Sequence, residues 1–79
     1  MLKVRIIDPD RVIYQGEAEM VFAPGVKGYL GIMPGHTAMF AELIKGDIAI
    51  KGQKQELVAI ESGILRVKDD DVLILVGLS

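Results

Sequence analysis

The chain of 79 residues contains no cysteine and no tryptophan, and it has a single histidine. Without cysteine, a disulfide framework and thiolate metal sites are excluded, and a reducing compartment is favoured. Two tyrosines and two phenylalanines offer little for the stacking contacts that bind single-stranded nucleic acid. A net charge of −2 also argues against a nucleic-acid ligand, because such proteins usually present a basic surface.

Long apolar runs are also missing. The longest covers residues 72–76, whereas a helix that crosses a bilayer needs about 20 apolar residues. Residues 1–5 carry charges where a secretory signal would begin its apolar region. We therefore expect any contact with a membrane to be made through another protein.

Apolar residues are nevertheless abundant, at 51% of the sequence. A chain of this size buries roughly 60% of the surface that its unfolded form exposes, so its stability is expected to be marginal. We therefore expect one domain over residues 1–79, with either a dense core or apolar surface reserved for a partner.

Short runs of alternating apolar and polar residues predict β-strands along most of the chain. Turn residues separate these runs, as at residues 8–10 and 69–71. The predicted strands cover residues 2–6, 11–15, 17–22, 37–44, 47–51, 55–60, 64–68 and 72–76. This pattern predicts an all-β fold, an antiparallel two-sheet β-sandwich or flattened barrel of about eight to ten short strands.

Some side-chain orientations follow from the same alternation. Ala18, Met20 and Phe22 are expected to point inward. In the hairpin of residues 47–60, the isoleucines of the first strand are expected to face Leu57 and Ala59. Residues 72–76 are apolar on both faces and should form a central strand.

Residues 25–36 differ from the rest because glycine and proline are concentrated there. Glycine accepts positive φ and proline presets φ, so these residues predict a loop of prescribed shape. The residues expected to shape it are Gly25, Gly28, Gly31, Pro34 and Gly35. Loops on a rigid scaffold often carry function, so this stretch is the first candidate for a binding site.

No catalytic or metal-binding pattern accompanies the lone histidine, His36. It has no nucleophile motif beside it, so a turn or interface role is favoured over catalysis. The acidic residues 69–71 lack the rest of a calcium-binding loop and predict a solvated turn. Lys51 and Lys54 flank a hairpin turn, as the modified lysine does in lipoyl or biotinyl carrier domains, but the usual neighbours of that lysine are absent.

Residues 31–36, Gly-Ile-Met-Pro-Gly-His, resemble the Gly-(Ile/Val)-x-Pro-Gly-His signature of the epsilon subunit of F-type ATP synthases, the equivalent of the mitochondrial delta subunit. The likeness extends along the chain. Residues 2–16 resemble the first hairpin of that family, and residues 61–67 resemble its Ser-Gly-Gly-(Phe/Ile)-Leu-x-Val strand.

This resemblance implies a β-sandwich that is a non-catalytic rotor subunit of the central stalk. Such a subunit links the gamma subunit to the proteolipid ring and couples proton translocation to ATP synthesis. It implies no cofactor, metal, nucleic acid or small-molecule substrate. It also implies a peripheral position on the cytoplasmic face of the bacterial plasma membrane, or on the equivalent energy-transducing membrane. The alternative is an autonomous β module, either a carrier domain or a protein-binding adaptor.

The same resemblance implies two contact sites. The expected contact with the proteolipid ring consists of Lys27, Gly28, Tyr29 and Leu30. The expected contact with the gamma subunit consists of His36, Met39, Phe40 and Ala41. The family often carries acidic residues where this chain has Lys27 and Tyr29, so a contact packed by tyrosine is expected here. The C-terminal helical hairpin of bacterial relatives is expected to be absent, and with it ATP binding.

Overall fold

The computed structural model describes residues 1–77, and all regular structure in that range is β-strand. The nine strands are β1 (Leu2–Ile7), β2 (Val12–Ala18), β3 (Met20–Gly25), β4 (Gly28–Ile32), β5 (Met39–Leu43), β6 (Gly46–Lys51), β7 (Gln55–Ile60), β8 (Ser62–Lys68) and β9 (Asp71–Gly77). The all-β class and the predicted number of strands are confirmed. Over these 77 residues, no helix is suited to crossing a membrane.

The strands are hydrogen-bonded in the order β2-β1-β9-β8-β5-β3-β6-β7, and β4 pairs with the other edge of β3. Strands β3 and β5 meet at a single residue pair, Gly25 with Leu43. The sheet can therefore curl over at this point. Strands β2, β1, β9, β8 and β5 form one layer, and β4, β3, β6 and β7 form the other.

One pairing departs from the predicted antiparallel arrangement. Strands β1 and β9 are parallel, with Lys3 opposite Asp71 and Ile7 opposite Leu75. Consecutive strands joined by tight turns must be antiparallel, but β1 and β9 are joined by the rest of the chain and are free of that constraint. Because β9 lies between β1 and β8, the central position predicted for residues 72–76 is confirmed.

The core is a single apolar cluster to which all nine strands contribute. Its buried members are Leu2, Val4, Ile6, Ala18, Val21, Ala23, Ile32, Leu43, Ile48, Ile50, Ile60, Leu65, Val67, Val72, Ile74 and Val76. Strands β1 and β8 follow the predicted alternation, with apolar residues inside and charged residues outside. The core therefore joins the two layers.

Two of the predicted inward orientations are wrong. Ala18 is fully buried as expected, but Met20 and Phe22 are only partly buried, and the alternate residues of β3 fill the core instead. The strand is interrupted at Glu19, whose amide donates a hydrogen bond to the carbonyl oxygen of Lys51 (2.7 Å). Because the alternation of buried and outward residues restarts after this interruption, the residues of β3 lie on the opposite faces from those expected.

The register predicted for the hairpin of β6 and β7 is also wrong. Ile48 lies opposite Val58, while Leu57 and Ala59 are exposed. The turn consists of residues 52–54, because Lys51 still pairs with Gln55. This turn pairs Ile48 with Val58 and Ile50 with Glu56, a register one residue away from the expected one, so the side chains of β7 lie on the opposite faces from those expected.

Residues 25–36, predicted as one loop, contain β4 between two turns. This strand pairs with β3, with Val21 opposite Ile32 at one end and Gly25 opposite Gly28 at the other. Glycine has a low strand propensity, but strand propensity depends strongly on context. Here the backbone pairing with β3 compensates for it. The two turns that remain are at residues 26–27 and 34–35.

Candidate functional site

An open groove runs between the tip of the β3–β4 hairpin and strand β5, with a volume of about 330 Å³. Its walls are mostly apolar, with one basic and one acidic residue. The lining residues are Gly25, Val26, Lys27, Leu30, Met39, Phe40, Ala41 and Glu42. Residues expected at the two contact sites thus line one groove.

The tip of the hairpin needs glycine at both ends. Gly25 and Gly28 face each other across the turn of Val26 and Lys27. A Cβ atom on Gly25 would lie 2.7 Å from the carbonyl oxygen of Gly28, closer than carbon and oxygen can approach without rearrangement. Gly28 itself has φ of +125°, which other residues adopt only with strain.

Backbone hydrogen bonds hold this tip against the end of β5. The amide of Val26 donates to the carbonyl oxygen of Glu42 (3.0 Å), and the amide of Ile44 donates to the carbonyl oxygen of Pro24 (2.8 Å). Backbone bonds of this kind do not depend on the side chains that line the groove. The width of the groove is therefore set by the fold.

Phe40 is the most exposed large apolar residue of the described chain, at 75% of its surface. Its neighbours on β5 differ from it, since Met39 and Ala41 are partly buried and pack against the core. The alternation of the strand therefore directs the Phe40 ring outward at the rim of the groove. Exposed aromatic residues beside an apolar groove are typical of protein-binding surfaces.

Tyr29 points away from the groove because it alternates with Leu30 along β4. Its ring is 64% exposed, and its hydroxyl donates a hydrogen bond of 3.4 Å to the carbonyl oxygen of Asp47. Four residues are expected to contact the proteolipid ring. Of these, Lys27 and Leu30 line the groove, while Gly28 and Tyr29 do not.

His36 lies in the turn that follows β4 and does not line the groove. Its amide donates to the carbonyl oxygen of Met33 (3.1 Å), and its Nδ1 is 2.8 Å from the carbonyl oxygen of Thr37. The amide of Gly35 donates to a carboxylate oxygen of Asp70 (2.8 Å). This bond ties the turn to the β8–β9 turn.

The remaining residues expected to shape the stretch have different surroundings. Gly31 lies within β4 opposite Phe22, where a Cβ atom would be 3.2 Å from the phenylalanine ring. Pro34 and Gly35 form the exposed turn, and Gly35 has φ of +83°.

Two side chains considered for other chemistry have ordinary surroundings. The Lys51 ammonium lies 5.2 Å from the centre of the Phe22 ring, a typical cation–π distance. Lys54 is exposed in the β6–β7 turn. Residues 1–77 contain no group of three or more His, Asp or Glu side chains that could hold a metal ion.

Sequence reasoning missed two residues of the groove. Val26 and Glu42 line it, although neither belongs to the residues expected from the family resemblance. Val26 could have been found from the sequence, because an apolar residue in a two-residue turn is expected to be exposed. Glu42 could be found only from the bond of its carbonyl group to Val26.

The family of the ATP synthase, Delta/Epsilon chain, beta-sandwich domain matches residues 1–77. The ATP synthase epsilon chain of Anoxybacillus flavithermus is 43% identical over 75 residues, covering 94% of this chain and 56% of that protein. The epsilon chain of Leptospira interrogans (serogroup Icterohaemorrhagiae, serovar Lai) is 37% identical over 75 residues, covering 94% and 59%. The chain thus spans less than three fifths of the length of these relatives.

Solved structures with low sequence identity share the fold. A chain of the Euglena gracilis mitochondrial ATP synthase (OSCP/F1/c-ring) superposes with a TM-score of 0.87 at 20% identity, covering 95% of this chain and 49% of that one. A chain of the Tetrahymena thermophila mitochondrial ATP synthase (central stalk/c-ring) gives 0.84 at 16% identity, covering 98% and 63%. The relatives are named ATP synthase epsilon chain, which agrees with the family resemblance and not with a carrier domain. From the match over residues 1–77, the chain belongs to the β-sandwich domain family of ATP synthase delta and epsilon chains.

Proposed function

We propose that this chain is a non-catalytic subunit of the central stalk of a rotary F-type ATP synthase. In this role it links the gamma subunit to the proteolipid ring and couples proton translocation to ATP synthesis. The observation that carries the proposal is the family match over residues 1–77, supported by relatives that are named ATP synthase epsilon chain. The complex would hold the chain peripherally at the cytoplasmic face of the bacterial plasma membrane, or at the equivalent energy-transducing membrane.

The fold suits a part that transmits torque. A rotor joint must not bend under load, and regions with many buried contacts and protected backbone bonds open least readily. The single core joins both layers, and the hairpin tip is bonded to β5 through its backbone. The groove therefore presents a stiff surface to a partner.

The proposed contact with the gamma subunit is centred on Phe40, with Met39 and Ala41 beside it and His36 in the neighbouring turn. Binding energy at protein interfaces is concentrated in a few residues, often aromatic, that become fully buried in the complex. Phe40 has the largest exposed fraction to lose among the large apolar residues described. It is therefore the residue expected to contribute most.

Replacing Phe40 with alanine should weaken binding to the purified gamma subunit about 30-fold or more, as expected of a residue that dominates an interface. The dissociation constant can be measured by titration calorimetry with the full chain. The control is Leu57→Ala on β7, which removes a side chain that is also largely exposed (60%) but lies outside the groove. Equal affinities of Phe40→Ala and the unmodified chain would contradict this contact, and no binding by the unmodified chain would contradict the proposed function.

We propose that the contact with the proteolipid ring uses Tyr29, with Lys27, Gly28 and Leu30 around it. Tyr29→Ala should weaken attachment to the ring while leaving the melting temperature of the isolated chain nearly unchanged, because the ring of Tyr29 is mostly exposed. Tyr29→Phe is the matched control, since it removes only the long hydrogen bond to Asp47. Attachment is measured by sedimentation with detergent-solubilised proteolipid rings. A large fall in melting temperature for Tyr29→Ala would instead give this residue a structural role.

A further inference from the structure

The edge of β5 that faces the groove is open along residues 38–41. On its other edge, β5 pairs with β8 over all five of its residues. Toward β3 it forms a single residue pair, Leu43 with Gly25, because the β3–β4 hairpin turns back at residues 26–27. An open strand edge presents backbone donors and acceptors with which another strand can pair.

The backbone bond at Glu42 shows which peptide groups face this edge. The carbonyl oxygen of Glu42 accepts a hydrogen bond from the amide of Val26, so the peptide groups of Glu42 point away from β8. Opposed residues of an antiparallel pair of strands alternate between exchanging both backbone hydrogen bonds and exchanging none. Two residues earlier, the N–H and C=O groups of Phe40 therefore also point away from β8, toward the groove.

The β8–β9 turn gives the same direction independently. Its residues 69 and 70 have φ of +50° and +64°, as in a two-residue type I′ turn, which a hydrogen-bonded pair closes. That pair is Lys68 with Asp71, so Arg66, two residues before Lys68, also bonds to β9. The peptide groups of Arg66 thus point away from β5, and those of Phe40, which lies opposite, receive no bond from β8.

Within residues 1–77, the open edge has no other partner. No hydrogen bond from a turn, a loop or a side chain involves residues 38–40. Phe40 is also largely exposed, so another chain can reach its backbone. Natural edge strands are often protected by lysine, proline or a bulge, but β5 contains neither residue and its register with β8 is unbroken.

We propose that an extended segment of the gamma subunit pairs with the open edge of β5 as an added strand. This inference rests on the proposed function, because it takes the gamma subunit as the partner at Phe40. The occupant is a strand because a free N–H and a free C=O of one residue are matched by the backbone of an extended chain. In such complexes, main-chain bonds give affinity and pockets for alternate side chains give specificity. The groove supplies such a pocket, since Leu30 and Met39 line it.

The hairpin tip limits the length of the added strand. Val26 already bonds to Glu42, so pairing with the gamma subunit must stop at residue 41. Residues 38–41 span about 13 Å at about 3.3 Å per residue, which suits a segment of about four residues. We expect this segment to alternate, with apolar side chains directed into the groove and the others lying outward beside Phe40.

The test removes one backbone donor and keeps every side chain. A chain of 79 residues can be assembled by chemical ligation with the backbone nitrogen of Phe40 methylated, which removes the N–H and places a methyl group toward the incoming strand. The affinity for the purified gamma subunit should fall about tenfold or more, as expected for the loss of a backbone hydrogen bond and a blocked edge. The melting temperature of the free chain should not change, because the free chain does not use this N–H.

Methylation of the backbone nitrogen of Leu57 is the matched control. The carbonyl oxygen of Lys51 accepts from Glu19, so the same alternation directs the peptide groups of Leu57 to the open edge of β7. Leu57 is also a largely exposed apolar residue, but it lies outside the groove. Its methylation should leave the affinity for the gamma subunit unchanged.

Amide hydrogen exchange provides a second readout, on the unmodified chain. Binding of the gamma subunit should slow exchange at the Phe40 amide by about tenfold or more and leave the Leu57 amide unaffected. The inference would be overturned by equal exchange at Phe40 in the free and bound chains. It would also be overturned if methylation at Phe40 lowered the melting temperature more than methylation at Leu57, or left the affinity unchanged. If Phe40→Ala still weakened binding, the proposed function would stand, whereas failure of the unmodified chain to bind gamma would overturn both.

Discussion

Replacing Ile74 with alanine is expected to lower the free energy of unfolding by about 2–5 kcal/mol, the usual range for truncating a fully buried isoleucine. Ile74 has no exposed surface. It lies on the central strand β9 between Ile6 of β1 and Leu65 of β8, both also fully buried. The cavity would open where three strands meet, and a small domain has a total stability of only about 5–15 kcal/mol.

The adjacent residue provides the control for this experiment. Leu75 is on the same strand but faces outward, with 47% of its surface exposed, so Leu75→Ala should cost less than about 1 kcal/mol. Unfolding by urea, followed by circular dichroism, gives both values. Similar losses for Ile74→Ala and Leu75→Ala would mean that the two faces of β9 are not assigned correctly.

Gly25→Ala should destabilise the chain by about 2–3 kcal/mol, as expected when an added methyl group has no room. Its Cβ atom would lie 2.7 Å from the carbonyl oxygen of Gly28 and 3.2 Å from a methyl group of Leu30. The first contact is with backbone, which cannot move unless the hairpin opens. Because the tip of the hairpin forms one wall of the groove, binding to the gamma subunit should fall as well.

Gly52→Ala is the control for added volume at a glycine in a turn. Its Cβ atom would meet the carbonyl oxygen of Glu17 at 3.5 Å, an ordinary contact, so we expect a change of less than about 1 kcal/mol. Melting temperature and affinity for gamma are the measurements for both variants. If Gly25→Ala had the same melting temperature as Gly52→Ala and bound gamma with normal affinity, the hairpin tip would be adaptable rather than fixed.

Much of the fold could be predicted because alternation reports which face of a strand is buried. In β1, the exposed Lys3 lies between the buried Leu2 and Val4, and in β8 the half-buried Arg66 lies between the buried Leu65 and Val67. Residues 72–76 were predicted as central because both faces of that strand are apolar. The alternation of apolar and polar residues is a local property, so it can be predicted from the sequence without knowing which strands pair.

The errors arise where a distant contact decides a local feature. The interruption at Glu19 depends on its bond to Lys51, more than thirty residues away. Strand β4 is extended because it pairs with β3, despite its glycine content. The groove likewise exists only once the β3–β4 hairpin and β5 have come together. A resemblance to a family indicates contact residues, but it cannot show which of them share a surface.

The parallel pairing of β1 with β9 has a consequence for synthesis of the chain. Lys3 and its neighbours leave the ribosome well before their partners, which begin at Asp71. At 5–20 residues per second, β1 waits on the order of ten seconds for that partner. During this interval one edge of the nascent β1–β2 hairpin stays open to pairing with other chains. We therefore expect a chaperone that shields newly made strands to raise the yield of this protein more than its equilibrium stability would suggest.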